Sequence, residues 1–185
     1  MVETIKKNLS LTEFLDHPET KPASEYINGT ILQKPMPQGE HSLIQGALCE
    51  VINQVTRSQK IALAFPELRC TFADRSLVPD IAVFRWQRIP KTDSGRIVNR
   101  FNTYPDWLIE ILSPQQSTTQ VLNKILQACQ QGTELGWLIN LEEATVLVIS
   151  QNQRLDVFKE EDKLPVLEGI DLSLTVDTIL EWLTI

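Results

Sequence analysis

The sequence predicts an α/β (α+β) fold: a mixed β-sheet with a helix on each face, an N-terminal hairpin and a C-terminal antiparallel meander. Three observations carry this expectation. Leu43, Ile44, Ala47, Leu48, Val51, Ile52 and Val55 follow a 3.6-residue period, the mark of an amphipathic helix. Asn28-Gly29 stands between Tyr26-Ile27 and Thr30-Ile31-Leu32, the strongest short-range hairpin signal. Between and after two helical stretches lie short apolar runs bounded by turn residues, the order expected of helices packed on a sheet.

Taken in chain order, Ser10 and Glu13 form a capping-box pattern that predicts a short helix over Leu11 to Asp16, stopped at His17-Pro18. The hairpin follows, then a loop from Lys34 to Gly39 and the long helix of about 17 to 19 residues, from its apolar period. Strands are expected at Ile61 to Phe65, Glu67 to Phe72, Ile81 to Phe84, Trp107 to Leu112, Gly136 to Asn140, Thr145 to Ile149 and Arg154 to Phe158. A second helix over Ser117 to Gln131 buries Val121, Leu122, Ile125, Leu126 and Cys129, and Gly132 is its natural stop. A last helix is expected over Val176 to Leu183. With Trp182, it offers apolar surface for a dimer, although burial in the monomer core is the simpler account.

A chain of 185 residues suffices for one domain, residues 1–185, with a core that needs neither disulfide nor metal to fold. No stretch reaches the length of a membrane span, and Met1 to Ser10 lacks the apolar core of a leader, so neither membrane insertion nor export is expected. Cys49, Cys70 and Cys129 are isolated, with no C-x-x-C pair, and read as small core residues in a reducing cytoplasm. A net charge of −7 argues against coating nucleic acid through bulk charge. The charge is unevenly spread. Residues 85–100 carry five basic groups, Arg85, Arg88, Lys91, Arg96 and Arg100, against one acid, whereas residues 134–185 carry three basic and eleven acidic ones. The basic stretch is either a solvated loop or a phosphate-contacting one.

Nucleotide-cofactor binding has no fingerprint here, neither G-x-G-x-x-G nor G-x-x-x-x-G-K, and no G-x-S-x-G elbow marks a serine hydrolase. The chemistry is expected where the packing rules break. In Trp107-Leu108-Ile109-Glu110-Ile111-Leu112 the apolar residues do not alternate with polar ones, so both faces of the strand should be buried, with Glu110 beside Leu108 and Leu112. A carboxylate there requires a cation, a metal or a set of donors. Asp80, after Pro79, opens another apolar strand. Two such carboxylates are the hard oxygen ligands that Mg²⁺ prefers. Lys124 lies at the edge of the apolar stripe of the second helix, from where its stem can pack while its ammonium reaches the strand.

Asp80 after Pro79, Glu110 in Ile-Glu-Ile-Leu-Ser-Pro, Lys124 and the strand Gly136-Trp137-Leu138-Ile139-Asn140 resemble the restriction-endonuclease-like proteins of the Uma type, within the PD-(D/E)XK nuclease superfamily. The resemblance extends upstream to Glu25 and His41 and covers roughly residues 20 to 150. It implies a central four-stranded mixed sheet flanked by helices, and DNA endonuclease chemistry with Mg²⁺ or Mn²⁺. It makes Asp80 and Glu110 metal ligands, and Lys124 the group that orients or activates the attacking water. Glu25, His41 and Glu67 are candidates for the outer site, the basic residues from Arg85 to Arg100 for DNA contact, and a homodimer for the assembly. Leu112 stands where the E-x-K form has its lysine, so that role passes to Lys124, while Gln120 and Ala128 replace an expected acid and tyrosine. Those departures also fit a rival reading, a catalytically inactive homodimer that binds DNA or protein as a regulatory module.

Overall fold

The structure is a computed structural model that describes Thr4–Ile5, residues 9–114 and residues 116–184. Its elements are β1 (Thr4–Ile5), α1 (Leu11–Asp16), β2 (Ser24–Ile27), β3 (Thr30–Gln33), α2 (Gly39–Thr56), β4 (Ala62–Pro66), β5 (Cys70–Phe72) and β6 (Arg75–Leu77). There follow β7 (Ile81–Arg85), β8 (Trp107–Ile111), α3 (Thr118–Gln130), β9 (Leu135–Asn140), β10 (Thr145–Ser150), β11 (Leu155–Lys159) and α4 (Val176–Glu181).

The expected mixed sheet is present, with six strands rather than four, in the order β11-β10-β9-β8-β7-β4. β8 and β9 run parallel, joined by α3 as a crossover, and the other neighbours in this sheet are antiparallel. The meander β9-β10-β11 is the C-terminal one read from the sequence. The N-terminal hairpin belongs instead to a second sheet, β1-β3-β2-β6-β5. Asn28 and Gly29 both have positive φ, as a two-residue hairpin turn demands.

Two expectations on this second sheet are corrected. The strand Glu67 to Phe72 shortens to Cys70–Phe72, because Glu67 has a φ of +46° and breaks the extended run. β6 was not expected, since the turn before it, Ala73-Asp74, contains neither glycine nor asparagine, yet both residues take the left-handed conformation.

Each face of the six-stranded sheet is covered. On one face Ile44, Leu48 and Ile52 of α2 pack against Ile81, Val83, Trp107, Ile109 and Trp137, joined by Leu164, Leu174 and Ile179 of the C-terminal segment. α4 thus contributes Val176 and Ile179 to the core, and Trp182 is half-buried against it. On the other face Val121, Ile125, Ala128 and Cys129 of α3 meet Leu108 and Leu138. Gly136 permits that approach. A Cβ added there would lie 2.1 Å from Ile125 Cγ2, so α3 could not rest at this height on any other residue. Among the described residues no helix is long and apolar enough to cross a membrane. The three cysteines are buried and unpaired, and burial pushes their thiols up, to about 11 at Cys49 and Cys129 and about 12 at Cys70.

Candidate active site

The site is built where the two sheets meet the α3 face. Alternation along β8 points Ile109 and Ile111 toward α2, and Leu108 and Glu110 toward α3. Asp80 directly precedes β7, two residues before Ala82, and so lies on that same side of the sheet. Asp80 and Glu110 are each only 1% exposed. Asp80 is clipped to the strand of Glu110: its Oδ2 accepts the Ile111 N–H at 2.7 Å. Its backbone carbonyl accepts from the Gln45 side-chain amide at 2.7 Å and from the Glu67 N–H at 3.1 Å.

Cations converge on these carboxylates. Val121, Lys124 and Ala128 lie on one helical stripe of α3, which the hydrophobic residues press onto the sheet, and Lys124 is therefore buried with them. Its Nζ lies 2.8 Å from Glu110 Oε1 and donates to both oxygens of Glu25, at 3.0 and 3.1 Å. Glu25 itself accepts the Val78 N–H at 2.8 Å. Lys34 supplies the second ammonium. Its Nζ lies 2.5 Å from Asp80 Oδ1 and 3.8 Å from Glu110 Oε2, and it donates to the Val78 carbonyl at 2.8 Å. His41, in the first turn of α2, places Nε2 3.3 Å from Asp80 Oδ1, while its Nδ1 shares a 3.3 Å hydrogen bond with Ser113 Oγ.

The electrostatics follow from this count of three carboxylates and two ammoniums. Burial alone would push Asp80 up, but Lys34, His41 and the Ile111 amide hold its carboxyl well below the usual range. Burial likewise raises Glu110, and here the two lysines do not compensate, because Asp80 and Glu25 compete for them. Its carboxyl sits at about 7. Both lysines are driven up despite burial, Lys34 by Glu110, Asp80 and Glu25, and Lys124 by Glu110 and Glu25.

The chain matches the Uma2 family, described as "Putative restriction endonuclease", over residues 11–177. The chain belongs to the Uma2 family. It is similar to a solved structure from Anabaena variabilis ATCC 29413, a "putative nuclease belonging to DUF820", with 52% sequence identity and a TM-score of 0.92, over 95% of this chain and 99% of that one. No protein of curated function matches it.

Of the residues singled out from the Uma-type resemblance, Asp80, Glu110, Lys124, Glu25 and His41 come together in one buried cluster. Glu67 does not join it. Its side chain is exposed, and its contribution is the backbone bond to Asp80. The basic stretch is also apart from the cluster. Arg85 lies at the opposite end of β7 from Asp80, a separation of about 17 Å along the strand. There it pairs with Glu134 at 2.7 Å, while Arg88 pairs with the buried Asp106 and lies 4.4 Å over the Tyr104 ring. Lys91, Arg96 and Arg100 are exposed.

Lys34 was missed as a site residue, although a signal existed. The hairpin register pairs Glu25 with Leu32, so alternation places Lys34 on the face of Glu25. Ending the strand at Leu32 hid this.

The residues fit a divalent cation of the kind a Uma2 relationship implies. The donors are hard carboxylate oxygens, those of Asp80 and Glu110, each already ion-paired with a lysine ammonium: Glu110 Oε1 with Lys124 at 2.8 Å and Asp80 Oδ1 with Lys34. Among the described residues no three His, Cys, Asp or Glu side chains form a metal-holding group. A cavity of about 600 Å³, lined by His41, Leu112, Ser113, Asn140 and Glu142 among others, opens beside the cluster.

Proposed function

We propose that this chain is a metal-dependent DNA endonuclease that hydrolyses phosphodiester bonds at the Asp80, Glu110 and Lys124 cluster. The observation that carries the reading is the convergence of two buried carboxylates, Asp80 at the entry to β7 and Glu110 on β8, with Lys124 of α3, whose ammonium lies 2.8 Å from Glu110 Oε1, in a chain of the Uma2 family. Such a group of charges is costly to bury and adds nothing to a core that apolar residues could fill, which favours a chemical role.

In this reading Asp80 and Glu110 would hold Mg²⁺ or Mn²⁺, and the ion would supply Lewis-acid stabilisation of the phosphate and a more acidic water. Asp80 is held in place by the Ile111 N–H and by His41. Lys124, held by both oxygens of Glu25, orients the attacking water and adds positive charge against the developing charge on phosphate. Relocation of this lysine to α3 accounts for Leu112 after Glu110. Lys91, Arg96 and Arg100 are left as the basic groups for remote backbone contact, whereas Arg85 and Arg88 act in the fold through Glu134 and Asp106. We also read residues 1–185 as one domain working in the cytoplasm, as a homodimer whose two symmetric sites suit cleavage of both strands.

The test is calorimetric titration of Mg²⁺ and Mn²⁺ into the wild type and Glu110→Gln, alone and with a short duplex. About one ion per chain, lost in the variant, is expected. No binding in either condition would overturn the metal-dependent reading and favour the inactive regulatory module.

A further inference from the structure

We propose that Lys34 is a built-in counter-cation of the site, which a divalent ion must displace from between Asp80 and Glu110. The Lys34 ammonium is already ion-paired with both carboxylates that, on the metal-binding reading above, would hold the ion: it hydrogen-bonds Asp80 Oδ1 at 2.5 Å and lies 3.8 Å from Glu110 Oε2. A small divalent ion needs its oxygens at about 2.0 to 2.1 Å. An ion held by these same two oxygens would crowd and repel the ammonium that now lies against them, so the two compete for one place.

Charge balance points the same way. With Glu110 ionised and His41 left aside, Asp80, Glu110 and Glu25 against Lys34 and Lys124 leave one negative charge in excess. Adding a divalent ion while keeping both ammoniums would leave a positive excess in a buried place. Expelling one ammonium restores neutrality, and burial makes the imbalance costly.

Lys34 is the one that leaves. Lys124 is anchored on a helix and bonded to both oxygens of Glu25. Lys34 sits just past the end of β3, ahead of the irregular segment that leads to α2, and its long stem can swing without unwinding an element. A cavity of about 40 Å³ adjoins it and is lined by Gln33, Gln116 and Gln120 among others. Those side-chain amides offer carbonyl acceptors along the way out.

The test titrates Mn²⁺ calorimetrically into the wild type, Lys34→Met and the double variant Lys34→Met/Glu110→Gln. Lys34→Met is expected to tighten Mn²⁺ binding at least tenfold, and the double variant to lose it. Equal or weaker binding by a folded Lys34→Met, with the wild type still binding, would overturn the displacement while leaving the metal site standing. Failure of both proteins to bind, duplex included, would overturn the metal-binding reading and the displacement with it. A second measurement needs no variant. Acylation of Lys34 by an amine-reactive reagent, mapped by mass spectrometry against exposed Lys159, should rise when the wild type is saturated with Mn²⁺. Unchanged protection of Lys34 at saturation would overturn the proposal even if Lys34→Met failed to fold.

Discussion

The Asp80 carboxylate accepts the backbone N–H of Ile111, the residue after Glu110, at 2.7 Å. One site carboxylate is thus tied to the strand that bears the other, independently of any side-chain rotamer of Glu110. Asp80→Ala removes this bond and leaves Lys34 buried with only Glu110 and a carbonyl. We expect a loss of roughly 3 to 5 kcal/mol in urea unfolding, the range for breaking a buried pair. Asp80→Asn, whose side-chain carbonyl can still accept from Ile111, should lose less.

Lys124→Met leaves Glu25 and Glu110 without their shared ammonium and should cost about 3 to 5 kcal/mol. Adding Glu25→Gln should recover part of that loss, because it removes one of the two stranded charges. The double-mutant cycle reads the coupling, expected at about 1 to 3 kcal/mol for residues in contact. Strict additivity of the two losses would refute the pairing.

Glu110 makes the stability depend on pH. Its folded carboxyl, at about 7, lies above its ordinary value of 4.5, so between these two values the folded chain holds a proton that the unfolded chain has lost. The stability conferred by that proton is complete below pH 4.5 and is lost as pH rises through 7, at roughly 1 kcal/mol per pH unit at most. Asp80 acts in the opposite direction: its contribution is present above pH 3.8 and disappears only in strong acid. Metal-free Glu110→Gln should flatten the melting temperature between pH 5 and 7. An unchanged slope would show that Glu110 is ionised throughout.

Arg88→Ala should destabilise without touching the cluster. It strands the buried Asp106, whose other oxygen accepts the Arg85 N–H, and a cost of about 3 kcal/mol follows from an uncompensated buried carboxylate. On the proposed reading, the metal binding expected of the wild type should survive under conditions where the variant is folded. A selective loss of duplex affinity in the folded variant would return Arg88 to the DNA-contacting residues.

Gly136→Ala would place a methyl 2.1 Å from Ile125 Cγ2, so α3 must lift or Ile125 must leave its rotamer. Overpacking of this kind costs about 1 to 3 kcal/mol. Because Lys124 precedes Ile125 on the helix, the same change should weaken Mn²⁺ binding or activity more than its stability loss alone explains, as seen by comparison with a core variant of equal stability.

The parts of this site that were legible in the sequence are those that violate packing rules locally. Glu110 interrupts an apolar strand, and Lys124 interrupts an apolar helical stripe; both carry their own signal. Asp80 was weaker by itself and gained meaning only beside Glu110. Lys34 carried no violation, because a lysine next to proline after a short strand looks like any solvated loop residue, and its burial comes from a second sheet closing over it. The basic stretch shows the converse. Composition reported its sign but not its partners, and Glu134 and Asp106, distant in sequence, neutralise its two leading arginines. The division into two sheets was hidden for a related reason: the tight turn at Ala73-Asp74 adopts left-handed backbone with residues that do not advertise it.

The Lys124 to Glu25 pair spans 99 residues of chain and the Lys34 to Asp80 pair spans 46. During synthesis, the hairpin, α2 and β8 all leave the ribosome before Lys124 does, so nascent chains expose unmatched carboxylates until α3 arrives. Closure of loops this long is slow relative to local helix formation. The cluster should therefore be among the last features to consolidate, and a chain truncated before α3 would leave Glu25 and Glu110 without the Lys124 ammonium.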